Sequence, residues 1–137
     1  MDGISGVSAM GGGGYKMSDV NTIVRDMNKC IEKWDLKHLG WRGFEKLDWV
    51  TDITDKYPEC AHIAHTCSCF SPGYLDDVQD LMDSAASKED KKGIHNYFMG
   101  KLGLEELSCR LSGAGSGNCD KRTAFFDICR MTHEMVK

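Results

Sequence analysis

The sequence has little of what membrane-spanning, nucleic-acid-binding and sheet-rich proteins contain. No apolar run approaches the length of about 18 residues that crosses a membrane. Basic residues are not in excess, because the chain has 17 Lys and Arg and 21 Asp and Glu, which gives a net charge of −4. The diffuse attraction that drives most nucleic-acid binding is therefore missing. Sustained alternation of apolar and polar residues between turns is also absent, so we expect no membrane span, no nucleic-acid partner and no sheet.

Motifs of catalysis and cofactor binding are missing as well. Gly11–Gly14 and Lys16 do not have the spacing of a phosphate-binding loop, and no apolar strand precedes them. Gly113–Gly117 fails as a dinucleotide loop because its glycines are misplaced and a helical pattern comes before it. The aspartates between Asp76 and Asp83 lack the glycine and terminal glutamate of a calcium-binding loop, which favours a solvated helix face. We expect a non-enzymatic protein without a cofactor.

The length and composition fit a single domain. A chain of 137 residues with 41% hydrophobic and 28% charged residues can form one hydrophobic core, but not two. Glycines are concentrated near the start, and apolar side chains occur there only singly. We therefore predict a flexible Gly-rich tail over residues 1–17 and a single helical domain over residues 18–137.

Apolar residues recur at the three- and four-residue spacing of amphipathic helices along most of the chain. The patterns predict helices over about residues 18–34, 43–57, 59–70, 74–86, 94–111 and 118–136. Gly100 and Gly103 each weaken a helix by about 1 kcal/mol relative to alanine, so residues 94–111 are predicted to form one helix or two short ones. Residues 87–92 are predicted to be a charged connection. The predicted fold is all-α, a compact bundle of five or six short helices that disulfides could staple.

The densest chemical signal is a group of cysteines and histidines between Cys60 and Cys69. In a helix, His62, His65 and Cys69 share one face, whereas Cys60 and Cys67 share another. Two imidazoles and a thiolate are suitable zinc ligands, which leaves one position for a remote residue or water. The stretch contains no CxxC pair, and the alternative is a helix with solvated histidines and buried cysteines.

Seven cysteines are spread over several predicted helices. Because seven is an odd number, at least one cysteine must remain outside any set of disulfide pairs. The disulfide candidates are Cys30, Cys60, Cys67, Cys109, Cys119 and Cys129. The order of one early cysteine, a middle group and three late cysteines resembles insect odorant-binding proteins, most closely over residues 119–129. That resemblance implies a helical carrier with three disulfides around an apolar cavity. The late cysteines are separated by nine residues each. This repeated spacing also resembles that in the helical hairpins of mitochondrial intermembrane-space proteins. Alternatively, all seven are small buried residues of an intracellular bundle.

The start of the chain and the cysteine usage point to different compartments. Residues 1–8 lack the basic start and apolar segment of a secretory signal. The cysteine usage is nevertheless compatible with a secreted mature chain. We therefore leave the localisation open.

The three tryptophans are concentrated in the first half of the chain, where their large area suits them to the core or, alternatively, to an interface. Trp34 and Trp49 fall within predicted helices, but Trp41 lies between Gly40 and Arg42 in a predicted connection. An exposed tryptophan there is suited to contact with a partner. We therefore expect a small helical protein that binds another protein through Trp41, as an accessory, structural or regulatory module. The alternatives are a carrier of a small apolar ligand and a zinc protein using His62, His65 and Cys69.

Overall fold

The structure is a computed structural model that describes residues 17–67, 73–111 and 120–137. Within those ranges it is all-helical, with no strand, which confirms the predicted fold class. The helices are α1 (Met17–Lys33), α2 (Leu36–Glu45), α3 (Asp48–Lys56), α4 (Glu59–Thr66), α5 (Tyr74–Ser84), α6 (Lys88–Leu111) and α7 (Asp120–Met135). The predicted tail lies outside the described residues except for Met17, where α1 begins. None of these helices is long and apolar enough to cross a membrane.

Helix α6 is the centre of the bundle. Helices α1, α2, α3, α4 and α7 all contact it, and α5 packs against α4 and α7. One continuous core joins the helices. Its largest fully buried side chains include Phe44, Tyr97, Phe98, Phe125, Ile23 and Leu36.

Helix α6 is continuous through Gly100 and Gly103, so these glycines do not divide it. A Cβ atom at Gly100 would lie 2.3 Å from two ring atoms of Phe44, and one at Gly103 would lie 3.0 Å from a methyl carbon of Leu36. The glycines therefore let α2 pack closely on α6, and this packing offsets their low helix propensity.

The start of α6 also differs from the prediction, because the helix begins at Lys88, inside the predicted connection. The backbone N–H of Asp90 donates a hydrogen bond of 3.1 Å to Oγ of Ser87. Ser87 and Asp90 have the spacing of a capping pair, and the carboxylate also favours the positive end of the helix. This local signal extends the helix through its charged first turn.

Residues 36–56 form two helices, whereas a single helix over residues 43–57 was predicted. Leu47, between α2 and α3, has extended backbone angles, with φ −62° and ψ 136°. Within α2 the backbone also bends at Gly40, whose φ of 64° and ψ of −168° are not helical. Only glycine adopts this region readily, so Gly40 permits a bend that periodicity does not reveal. The predicted interruption before Pro58 is confirmed, because α3 ends at Lys56.

Candidate functional site

The structure describes two of the three predicted zinc ligands, His62 and His65. His62 and His65 are exposed on α4, whereas Cys60 and Cys67 are buried. Cys69 lies outside the described residues. Among the side chains that the structure describes, no three of His, Cys, Asp or Glu are placed to hold a metal ion. A zinc site that includes Cys69 therefore stays a prediction.

Four of the six disulfide candidates are free thiols in the structure: Cys30, Cys60, Cys67 and Cys129. A fifth, Cys109, is buried. The sixth candidate, Cys119, lies outside the described residues. Burial raises the pKa of Cys60 to about 12 and that of Cys67 to about 11. Loss of hydration is the largest cause in both thiols, and the charge of Glu59 adds to it at Cys60 whereas that of Lys121 opposes it at Cys67. The described cysteines thus behave as buried apolar residues, and disulfide stapling stays a prediction.

Trp41 is exposed, but it lies within α2 (Leu36–Glu45) and not in the predicted connection, which is therefore wrong. Its side chain is 36% exposed, and Val24 is the only other large hydrophobic residue among the described side chains that is exposed to this degree. Trp41 lines a groove of about 560 Å³ between α2 and the second half of α6. The other lining residues are Leu36, Lys37, Gly40, Leu104, Leu107, Ser108 and Arg110. We refer to this surface as the Trp41 groove.

The floor of the Trp41 groove is apolar because α2 and α6 bring leucines to it. Leu36 and Leu104 are almost fully buried, with exposed fractions of 1% and 3%, and Leu107 is half-buried. Leu104 and Leu107 are three residues apart on α6, so they lie on the same side of that helix. The groove therefore combines a leucine floor with an indole at its edge.

The bend at Gly40 helps to set the position of Trp41. Gly40 directly precedes Trp41 and has a positive φ of 64°. A Cβ atom at Gly40 would meet no heavy atom of the described residues within 4 Å, so their packing does not require glycine there. The requirement comes from the backbone conformation, which is costly for any other residue. An unusual conformation next to an exposed tryptophan is consistent with a functional surface.

A buried lysine lies against the indole of Trp41. Nζ of Lys101 is 4.6 Å from the centre of the Trp41 ring, and the Lys101 residue is only 4% exposed. The rings of Phe44 and Tyr97 lie 6.0 Å and 5.6 Å from the same nitrogen. A cation facing the ring of a tryptophan is attracted to it, most strongly where water is excluded. Lys101 therefore holds the Trp41 ring against α6.

The charge of Lys101 is balanced by Glu45 at the end of α2. The Lys101 amine donates to Oε2 of Glu45 across 3.4 Å, and the Glu45 side chain is 53% exposed. The pKa of Lys101 is lowered overall, because the effect of burial is larger than the opposing effect of the Glu45 carboxylate. Three rings and a carboxylate surround the amine, so the bundle leaves little room for a substrate to reach it. The arrangement is suited to positioning Trp41 and not to nucleophilic catalysis by Lys101.

The edges of the Trp41 groove are basic. Among the residues that the structure describes, the lining contains Lys37 and Arg110 and no acidic residue. Nε of Arg110 lies 2.8 Å from Oε2 of Glu106, whose other oxygen lies 3.0 Å from Nη1 of Arg122. The Glu106 carboxylate thus forms ion pairs with two guanidinium groups. Lys37, on the other helix, is exposed. The groove has positive edges on a chain whose net charge is −4.

Sequence reasoning found Trp41 but missed the groove around it. Lys101, Leu104 and Leu107 lie in a segment whose apolar pattern indicates only a buried helix face. The one available signal was Gly100 beside Lys101, because a glycine within a helix marks a close approach by another element. That signal does not identify Phe44 and α2 as the approaching group.

Comparison of the chain with protein-family models, curated proteins and solved structures gives no significant match.

Proposed function

We propose that the protein is a non-enzymatic interaction module that binds another protein through the Trp41 groove. The observation that carries the proposal is the exposed Trp41 ring, held by buried Lys101 at 4.6 Å beside a leucine floor. Tryptophan is among the residues that contribute most to binding at protein interfaces. A ring held in one orientation before binding loses less conformational entropy when a partner docks.

The test is selection of ligands from a random peptide display library on the immobilised full-length protein. Trp41→Ala removes the indole from the groove, and we expect it to bind the selected peptides at least about tenfold more weakly. Loss of a large aromatic anchor commonly has an effect of this size at an interface.

Val24→Ala is the matched control, because Val24 is the other exposed large hydrophobic residue among the described side chains. Val24 lines a different groove, with Met27 and Phe126. Peptides that bind wild type and Val24→Ala equally, but not Trp41→Ala, would support the proposal. Failure to select any peptide, or equal binding to all three proteins, would contradict it.

Carriage of a small apolar ligand is the second candidate. The Trp41 groove, at about 560 Å³, falls within the size range of small-molecule sites and has an apolar floor. Against this, the exposure of Trp41 leaves the groove accessible to water, and the described interior is filled with side chains. Saturable binding of a fluorescent fatty acid that Trp41→Ala abolishes, without peptide binding, would favour the carrier.

A zinc site formed by His62, His65 and Cys69 is tested separately by metal analysis of protein prepared without chelators. Stoichiometric zinc that is lost in His62→Ala would support it. Absence of zinc from the wild-type protein would contradict it.

A further inference from the structure

We infer that the segment docking in the Trp41 groove is an acidic amphipathic helix of another protein. This inference rests on the proposed docking function of the same groove and adds the chemistry of the partner. It commits to apolar side chains on one face of the partner helix and to carboxylates along both sides of that face.

The apolar part of the inference follows from the shape of the groove. The floor lies between two helices, and Leu104 and Leu107 form part of a ridge on α6. A third helix can place its own side chains between such ridges, with apolar residues three, four and seven positions apart. The described residues contain no strand, so they offer no sheet edge for an extended peptide to join.

The acidic part of the inference follows from the edges of the groove. Lys37 on α2 and Arg110 on α6 line it from opposite helices, and the described part of its lining contains no carboxylate. Glu106 is already shared between Arg110 and Arg122. Carboxylates on a docking helix would therefore meet positive charge along both edges, which favours the correct orientation and speeds association.

A second copy of this chain is a poorer match than a different protein. Helix α5 has the acidic face that the groove favours, with Asp76, Asp77, Asp80 and Asp83 along it. Val78, Leu81 and Met82 of α5 are buried in the core of their own chain, and Tyr74 and Leu75 are partly buried against that core. Helix α5 thus supplies carboxylates without an apolar face to occupy the leucine floor.

The experiment measures the affinity of three labelled synthetic peptides of about 16 residues, a length that forms a marginally stable helix. The acidic peptide has leucines along one helical face with glutamates on both sides of it. The basic peptide has lysines in place of those glutamates. The shuffled peptide has the composition of the acidic one without its amphipathic pattern. Fluorescence anisotropy with the full-length protein gives each dissociation constant.

We expect the acidic peptide to bind wild type at least about tenfold more tightly than the basic or shuffled peptide, and more weakly as salt rises. This comparison is stringent, because the net charge of −4 would by itself favour the basic peptide. The double variant Lys37→Glu with Arg110→Glu should remove or reverse the preference. The matched control is Lys29→Glu with Lys88→Glu, which makes the same charge change at two exposed lysines outside the groove lining. The control should retain the preference.

Equal or tighter binding of the basic peptide would overturn the inference, as would equal binding of the shuffled peptide. The docking function itself would still stand if library-selected peptides require Trp41. Self-association of wild type that Trp41→Ala abolishes would identify a second copy as the occupant and would also overturn the inference. If none of the three peptides binds, the inference fails. The proposed function fails with it only if the library also yields no ligand that depends on Trp41.

Discussion

At the scale of single residues, Lys101 is the group whose burial most affects the candidate site. The Lys101 residue is only 4% exposed. Its amine lies among three aromatic rings and is 3.4 Å from Oε2 of Glu45. A buried charge of this kind rarely adds much net stability, because the loss of hydration offsets the attraction. Its more specific effect is to fix the geometry of the groups around it, here the ring of Trp41.

Lys101→Met tests this positioning role. Methionine fills similar space without the charge, and Glu45 is exposed enough to remain hydrated. We therefore expect the free energy of unfolding to change by no more than about 1 kcal/mol. Trp41 should become more mobile, which would increase acrylamide quenching of its fluorescence. Subtraction of the signal of Trp41→Phe isolates the Trp41 contribution from those of Trp34 and Trp49. Unchanged quenching in Lys101→Met would show that the amine does not hold the ring.

His95 makes the stability of the bundle depend on pH. Nδ1 of His95 lies 2.6 Å from Oγ1 of Thr132, inside the α6–α7 packing. Burial lowers the pKa of His95 from 6.5 to about 4, helped by His133 and Lys92. Because the folded pKa is below the unfolded one, the unfolded chain takes up the proton first as the pH falls. His95 should therefore reduce stability between about pH 6.5 and pH 4, by at most about 3 kcal/mol.

His95→Asn keeps a polar group beside Thr132 but does not titrate. We expect urea unfolding of this variant to show a smaller loss of stability than wild type between those pH values. His65→Asn changes an exposed histidine and should follow the wild-type curve. The same pH dependence in wild type and His95→Asn would show that His95 is not responsible.

At the scale of helices, the contact between α2 and α6 depends on Gly100. A Cβ atom there would lie 2.3 Å from the Phe44 ring, and Phe44 is itself fully buried. Gly100→Ala should therefore lower the free energy of unfolding by about 1–3 kcal/mol, although alanine favours a helix. Gly73→Ala is the control, because no atom of the described residues lies within 4 Å of its Cβ position. Thermal unfolding in which Gly100→Ala is at least as stable as wild type would contradict this packing.

Local sequence patterns predicted several elements well. The regularly spaced apolar residues after Ser18 predicted α1, and those after Tyr74, together with the aspartates there, predicted α5. Patterns failed where distant residues decide the structure. Gly100 does not break α6, because Phe44 packs against it. The Trp41 groove depends on residues of α2 and α6 that are distant in sequence, so only the exposed position of Trp41 could be predicted.

At the scale of the whole molecule, the bundle is held by one continuous hydrophobic core, and Cys30, Cys60, Cys67 and Cys129 are free thiols within the described part. Burial raises the pKa of Cys30 to about 11, and that of Cys129 is raised as well. Few of these thiols are therefore ionised at neutral pH, and thiolate is the reactive form.

We expect mass spectrometry after alkylation to detect these thiols as free once the protein is unfolded without reductant. In the native protein, the fully buried Cys60 and Cys129 should react much more slowly than after unfolding. Reductant should leave the melting temperature unchanged. Bridges among these cysteines, together with a lower melting temperature in reductant, would instead support the disulfide framework.

The most direct test of the docking claim is the mapping of a bound peptide on the full-length protein. Amide ¹H–¹⁵N chemical shifts are recorded while the ¹⁵N-labelled protein is titrated with a library-selected peptide. The Trp41 groove predicts the largest changes at residues 36–41 and 104–110, together with the indole N–H of Trp41. Saturable changes centred on another surface, with these residues unaffected, would contradict it.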